Sequence, residues 1–223
     1  MRMIVVRPAP GDVGTVARLA ARGIEAEAIP LFAVAPVAWT PPDPRDFDAL
    51  LLTSGNAVRH GGSGLHALRQ LPVVAVGAST ATAARAAGLA VALTGDGDAV
   101  AARAQAEAHG LGRLLHLAGR DRVAVGTATI TVYASDPLPI AAETAARFAG
   151  ATVLLHSARA AAAVAAMVDR DGIDRASVRL AAFSAAVARA AGAGWRTVAV
   201  AAVPTDAALI AAAIDQRPTR ADK

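Results

Sequence analysis

Four hydroxyl-bearing residues, Ser54, Thr80, Ser157 and Ser184, fall where a short apolar run meets an alanine-rich stretch. A strand that enters a helix at such a junction leaves the first backbone N–H groups of the helix unbonded and pointing outward. Such groups hold anions, so four junctions on one rim suit a ligand with several carboxylates. Each hydroxyl is equally a natural N-cap, worth about 1 kcal/mol of stability. The stretch around Thr80 is the fullest example. Val73–Gly88 reads VVAVGASTATAARAAG, with Gly77, Ala78 and Ser79 leading into the helix. Tyr133, the only tyrosine, has two readings. It is either an edge residue whose hydroxyl meets a partner or water, or a proton donor to a leaving hydroxyl.

Other chemistries lack their residues. With no cysteine, thiolate nucleophiles, disulfides and cysteine metal sites are excluded. Of 22 basic residues only Lys223 is a lysine, which removes an internal P-loop lysine and any Schiff-base lysine. Arginine remains, with its planar fork for carboxylates. The histidines, His60, His66, His109, His116 and His156, have no metal-ligand spacing and read as packed or solvated. Gly95-Asp96-Gly97-Asp98 lacks the third glycine of a dinucleotide fingerprint, and its acids read as helix-start charge. Ser157, between His156 and Ala158, lacks the glycines of a nucleophile elbow. The net charge of +4 is spread over scattered arginines with few aromatics, so neither nucleic acid nor a membrane is the expected partner. No uncharged run reaches the ~20 residues of a spanning helix. The opening MRMIVVRPAP is no basic-then-apolar leader, and a cytoplasmic protein is expected.

Positioning these groups requires an α/β chain. Met3–Val6, a helix over Val13–Arg22 closed by Gly23, and Ile24–Pro30 form an opening βαβ unit and imply a parallel sheet. Prolines 36, 41, 42 and 44 stiffen Leu31–Pro44 into an extended connector. Strands are expected at Phe47–Thr53, Val73–Val76, Leu89–Leu93 and Arg113–Leu117, with helices at Ala81–Ala87 and from Asp96–Asp98 to His109. Thr127–Tyr133 alternates as a strand exposed on one face, and Asp136-Pro137 breaks it. A helix to Phe148, strands at Ala151–His156, Val178–Ala182 and Thr197–Ala201, and helices over Ser157–Asp171 and Pro204–Ile214 follow. The tail Gln216–Lys223 reads as frayed.

The halves echo each other. Leu180–Gly192 (LAAFSAAVARAAG) repeats the Val73–Gly88 pattern, with Arg189 and Gly192 each 104 residues beyond Arg85 and Gly88. Leu51-Leu52-Thr53-Ser54 is matched by Leu154-Leu155-His156-Ser157 at an offset of 103. We therefore expect a discontinuous first lobe, residues 1–33 plus 137–223, and a second over 38–129. Connectors at 31–44 and 127–139 would join them. Ligands of open parallel sheets bind beyond the carboxyl ends of the strands, so both sets of turns would line one cleft.

The residues resemble the uroporphyrinogen-III synthase family over nearly the whole chain. The matching pieces are Val6-Arg7-Pro8, LAARGIEAEAIPL (Leu19–Leu31), FDALLLTSGNAV (Phe47–Val58), Val73–Gly88, VYAS (Val132–Ser135), AVARAAGAGW and VAVAAVPTDAAL. The resemblance implies two α/β lobes, each with a parallel sheet flanked by helices, joined by a two-stranded linker. It implies a monomeric lyase of heme biosynthesis that needs neither metal nor organic cofactor. Its substrate would be hydroxymethylbilane, a linear tetrapyrrole with eight carboxylates, cyclised to uroporphyrinogen III with inversion of the last ring and loss of water. Its partners would be that substrate and, transiently, the preceding enzyme of the pathway. Carried onto this chain, the substrate-binding set is Arg7, Ser54, Gly55, Asn56, Gly77, Ala78, Ser79, Thr80, Gly119, Arg120, Arg122, Ser157, Ala158 and Ser184. The tyrosine that helps the hydroxyl depart is Tyr133.

The chain departs from that pattern twice. The family has a helix between the positions of Gly119 and Tyr133, and GRDRVAVGTATITVY is too short to hold one. In the second repeat the glycine before the small-residue pair is replaced, leaving Ala181-Ala182-Phe183-Ser184, where Phe183 is expected to narrow the pocket. The rival reading is a two-lobed cytoplasmic protein that binds a small polyanion without chemistry.

Overall fold

In the computed structural model, residues 2–95 and 98–216 are described; Asp96, Gly97 and the tail from Arg217 lie outside the described residues. The chain opens with β1 (Met3–Val5), α1 (Gly11–Ala20), β2 (Ala26–Ala28) and β3 (Phe32–Pro36). Next come β4 (Ala49–Leu52), α2 (Gly55–His60), α3 (Gly62–Ala67), β5 (Val73–Ala75), α4 (Ala78–Ala86) and β6 (Val91–Thr94). Then follow α5 (Ala99–Ala108), β7 (Leu114–Gly119), β8 (Ala128–Pro137), α6 (Ala142–Ala145) and β9 (Thr152–Leu155). Finally α7 (Ala158–Arg170), β10 (Arg179–Ala182), α8 (Ala185–Ala191), β11 (Thr197–Val200) and α9 (Asp206–Asp215) close the described chain.

Two compact units result, Met1–Ala33 with Pro137–Lys223, and Val34–Asp136. In the first, a five-stranded sheet has the order β11-β10-β9-β1-β2, and each neighbouring pair is parallel. Its central strands are uninterrupted apolar runs because both faces are covered. One face packs Phe148, Val164, Val168 and Leu180, the other Met3, Val5, Leu19, Leu209 and Ile210. Alanine supplies much of the helical contact: Ala160, Ala161, Ala191 and Ala213 are at most 4% exposed.

The second unit holds a six-stranded sheet of order β3-β8-β7-β4-β5-β6. Its strands β8, β7, β4, β5 and β6 run parallel, with β3 on the edge beside β8. Leu50, Leu52, Val73, Leu115 and Leu117 fill one face; Leu51, Val74, Ala102 and Ala106 fill the other.

Both sheets have a switch point, where the chain leaves two adjacent strands in opposite directions. In the first unit β1 leads outward to β2 while its neighbour β9 leads the other way, to β10. In the second, β4 leads to β5 and its neighbour β7 to β8. Helices or loops that diverge from neighbouring strand ends open a crevice there.

Within the two stretches expected as connectors, Phe32–Pro36 and Ala128–Pro137 are paired strands of the six-stranded sheet. The break expected at Asp136-Pro137 falls at the end of β8, whose last residue is Pro137. The helix of the fullest repeat starts at Ala78, three residues before the expected Ala81. The helix after β6 starts at Ala99, once Asp98 has capped it by accepting from Val100 N and Ala101 N, each at 2.9 Å.

Candidate active site

At the switch point of the six-stranded sheet, β4 is followed by Thr53-Ser54, and β7 ends at Gly119 and is followed by Arg120. A cavity of about 410 Å³ opens there, lined among others by Thr53, Ser54, His116, Gly119, Arg122, Val125 and Tyr133. Ser54 caps α2, accepting from Asn56 N at 3.2 Å, with Gly55 and Asn56 in the first turn. Gly77, Ala78, Ser79 and Thr80 form the start of α4 at the end of the neighbouring strand β5. Thr80 is not an N-cap. Gly77 holds that position with no side-chain cap, and Thr80 sits in the first turn, 7% exposed.

Tyr133 faces Gly119 across the β7–β8 ladder. A Cβ on Gly119 would fall 2.8 Å from the tyrosine ring, so only glycine admits the ring there. The His60 ring lies 6.3 Å away, centroid to centroid. Between β7 and β8 the chain returns in the eight residues 120–127 with no helix, although a parallel crossover ordinarily takes a dozen or more. This extended return forms one wall of the cavity. Val125 anchors it in the core at 5% exposure, and Arg103 Nη1 clamps the carbonyls of Val125 and Gly126 at 2.9 and 3.3 Å. Arg122 Nη1 bonds the Gly119 carbonyl at 3.0 Å and Thr131 Oγ1 at 2.8 Å. Arg120 is paired with Asp136.

The cavity is also lined by His116, one of the histidines expected to be packed or solvated. His116 is 1% exposed; its Nε2 is 3.1 Å from Thr53 Oγ1, and its Nδ1 has no hydrogen-bond partner among the described residues. Burial and the nearby Arg122 charge push it down to about 4, so the imidazole is neutral. A histidine inside the apolar run Leu114-Leu115-His116-Leu117 was the available signal.

The first unit presents its own rim at its own switch point. Arg7 follows β1, while His156, Ser157 and Ala158 follow β9. Ser157 caps α7, accepting from Ala160 N at 3.1 Å, and Ser184 caps α8, accepting from Val187 N at 3.4 Å. Behind these caps Asp206 gathers a network. Its Oδ1 accepts from Thr15 Oγ1 at 2.9 Å and from His156 Nε2 at 2.8 Å. Its Oδ2 accepts from Arg18 at 2.8 Å, and Arg7 Nη1 lies 3.6 Å from Oδ1. Gly11 makes room for the Arg7 guanidinium, since a Cβ there would crowd it. Burial alone would raise the Asp206 carboxyl, but the hydrogen bonds from His156 and Thr15 outweigh it and hold the group at about 2. Burial drives His156 down, against the pull of Asp206, and keeps its imidazole neutral. Phe183 packs against the His156 ring at 5.8 Å, centroid to centroid. The Leu-Leu-His-Ser match to Leu-Leu-Thr-Ser pointed to position 156; no local pattern points to its partner 50 residues away.

The predicted residues therefore fall into two groups, each complete within its unit. Ser54, Gly55, Asn56, Gly77, Ala78, Ser79, Thr80, Gly119, Arg120, Arg122 and Tyr133 stand at the carboxyl ends of the six-stranded sheet. Arg7, Ser157, Ala158 and Ser184 stand at those of the five-stranded sheet. The predicted residues offer neutral or cationic donors, backbone N–H groups and one phenol, with Asp98 and Asp121 also in the cavity wall.

Similar proteins agree with this architecture. The crystal structure of uroporphyrinogen-III synthetase from Helicobacter pylori is similar over 97% of this chain and 100% of that one, at 17% identity and a TM-score of 0.67. A mutant uroporphyrinogen III synthase from the extremely thermophilic bacterium Thermus thermophilus is similar over the same shares, at 17% identity and a TM-score of 0.56. At such identity the likeness establishes the fold. Comparison with curated proteins gives no match. The sequence model of one family, described as uroporphyrinogen-III synthase HemD, matches residues 14–211. With a match of that span, and a fold of two parallel-sheet units to go with it, this chain belongs to the uroporphyrinogen-III synthase family.

Proposed function

We propose that the chain is a cofactor-independent lyase that closes hydroxymethylbilane to uroporphyrinogen III, inverting the last ring and releasing water. The observation that carries this reading is the family match over residues 14–211. The cavity that Tyr133 lines together with Ser54, Gly119 and Arg122 supports it.

In this reading carboxylates of the substrate meet helix starts and arginines at the carboxyl ends of the strands. Tyr133 gives its proton to the departing hydroxyl. The C–O bond breaks with its electron pair staying on oxygen, and water leaves. The electron-poor carbon bonds to the far-ring carbon that already carries the methylene bridge, giving a spiro intermediate. The bond from that carbon to the bridge then breaks and the bridge re-bonds at the ring's free α-carbon, which inverts the ring. The proton lost from that α-carbon on rearomatisation restores the phenol. The hydroxyl leaves readily by itself, so holding the ends of the chain in the right conformation contributes more than acid catalysis. The protein works as a cytoplasmic monomer that receives its substrate from the preceding enzyme.

Freshly prepared hydroxymethylbilane tests the proposal. It is incubated with the protein and oxidised, and the porphyrin isomers are separated. An excess of isomer III over the no-enzyme control is the expected result. Isomer I alone would return the protein to the class of polyanion binders.

A further inference from the structure

Thr53 and His116 belong to neither the caps nor the predicted site, yet both line the cavity of the second unit. Their side chains stand on one face of the sheet, His116 pairing in register with Leu51, two residues before Thr53. The ring of His116 is closed off from solvent, and one of its two nitrogens, Nδ1, meets no partner among the described residues. A neutral imidazole carries one proton. On Nδ1 that proton would be a buried donor with no acceptor, a rare and costly arrangement. On Nε2 it is donated to Thr53 Oγ1 at 3.1 Å. The ring lone pair then faces the closed side, and the threonine oxygen is already an acceptor. Its own O–H is left to point elsewhere. Thr53 is half-buried at the cavity wall, so elsewhere is the cavity.

We propose that Thr53 is a ligand-binding hydroxyl whose O–H donates to a carboxylate arm of the tetrapyrrole, and that His116 is a positioning residue that fixes it as a donor. The choice of a carboxylate rests on the functional reading above and on Arg122, whose guanidinium shares the cavity wall. Of the two acids there, Asp98 commits Oδ1 to the N–H groups of Val100 and Ala101; the other is Asp121.

The inference is tested with uroporphyrin III, an oxidised form of the proposed product with the same carboxylate arms, by titrating its quenching of tryptophan fluorescence. This readout needs no turnover. Thr53→Val should weaken Kd about tenfold, the size of one hydrogen bond to a charged group, and Thr53→Ser should stay within about twofold. His116→Leu should weaken binding as Thr53→Val does, and the double variant should be no worse than either single one, because His116 acts through Thr53. His116→Gln, whose amide N–H stands in for Nε2–H, should largely restore binding. In turnover, Thr53→Val should raise KM and leave kcat nearly unchanged. An unchanged Kd for Thr53→Val, additive losses in the double variant, or failure of the wild-type protein to bind the porphyrin would each overturn the inference. If the wild-type protein forms only isomer I while the Kd pattern holds, the synthase reading fails and the donor role of Thr53 stands.

Discussion

Tyr133 is held by its neighbour's lack of a side chain. Its ring occupies the space a Cβ on Gly119 would need, and the residue lines the cavity that Thr53 and Arg122 also line. Removing the hydroxyl alone, in Tyr133→Phe, keeps the ring in that space. We expect kcat to fall by roughly tenfold, below the usual range for a general acid because the leaving group departs readily. The urea midpoint should stay within error. A wild-type rate would leave Tyr133 a packing residue. At this scale the sequence was informative about types but not partners. The lone tyrosine and the four hydroxyls could be picked out from their surroundings. The pairing of His116 with Thr53 could not, because it joins two strands 63 residues apart.

Elements decide what the hydroxyls do. Ser54, Ser157 and Ser184 each accept a backbone N–H of the helix that follows, so they satisfy donors the helix cannot bond itself. Thr80 differs: it lies inside the first turn of α4 and is buried. The two classes should separate on substitution. Ser157→Ala is expected to cost about 1 kcal/mol in urea denaturation. Thr80→Ala should weaken substrate binding more than stability, read as a rise in KM with a small change in midpoint. A loss of stability in Thr80→Ala with KM unchanged would make it a packing residue. The eight-residue return between β7 and β8 belongs to the same scale. That extended return, tied down by Arg103 and Val125, lines the same cavity as His116 and Tyr133.

For the whole molecule, acid is the informative perturbation, since the buried neutral histidines and the Asp206 carboxylate respond in the same direction. His116 titrates at about 4 in the folded protein against 6.5 unfolded, and His156 is also lowered. Between those values the unfolded chain binds more protons, so stability is complete above about pH 7 and falls as the pH drops below 6.5. His116 alone accounts for a loss of about 2 kcal/mol at about pH 5. Asp206, held at about 2 against 3.8, adds a loss confined to lower pH. Urea midpoints at about pH 7 and about pH 5 measure this. The drop should shrink markedly in His116→Gln, and an equal drop in that variant would assign the acid sensitivity elsewhere.

The order of strands and helices was legible without coordinates because the buried parallel strands are mostly apolar runs such as Ala49–Leu52 or residues 153–155. Each such run is punctuated by a glycine or a hydroxyl, and these are local properties of the chain. The repeat at offsets 103 and 104 and the family resemblance are likewise properties of order along the chain. The sequence therefore determined the α/β class, the two rims of helix starts and the candidate tyrosine. Strand neighbours were decided only in three dimensions. The placement of β3 beside β8, of β4 beside β7 and of β1 beside β9 depends on which faces bury each other, and no local pattern states that. Those adjacencies create the switch points and set a histidine under Thr53. They also gather Thr15, Arg18 and His156 around Asp206, contacts that span up to 191 residues and exist only once the sheets have formed.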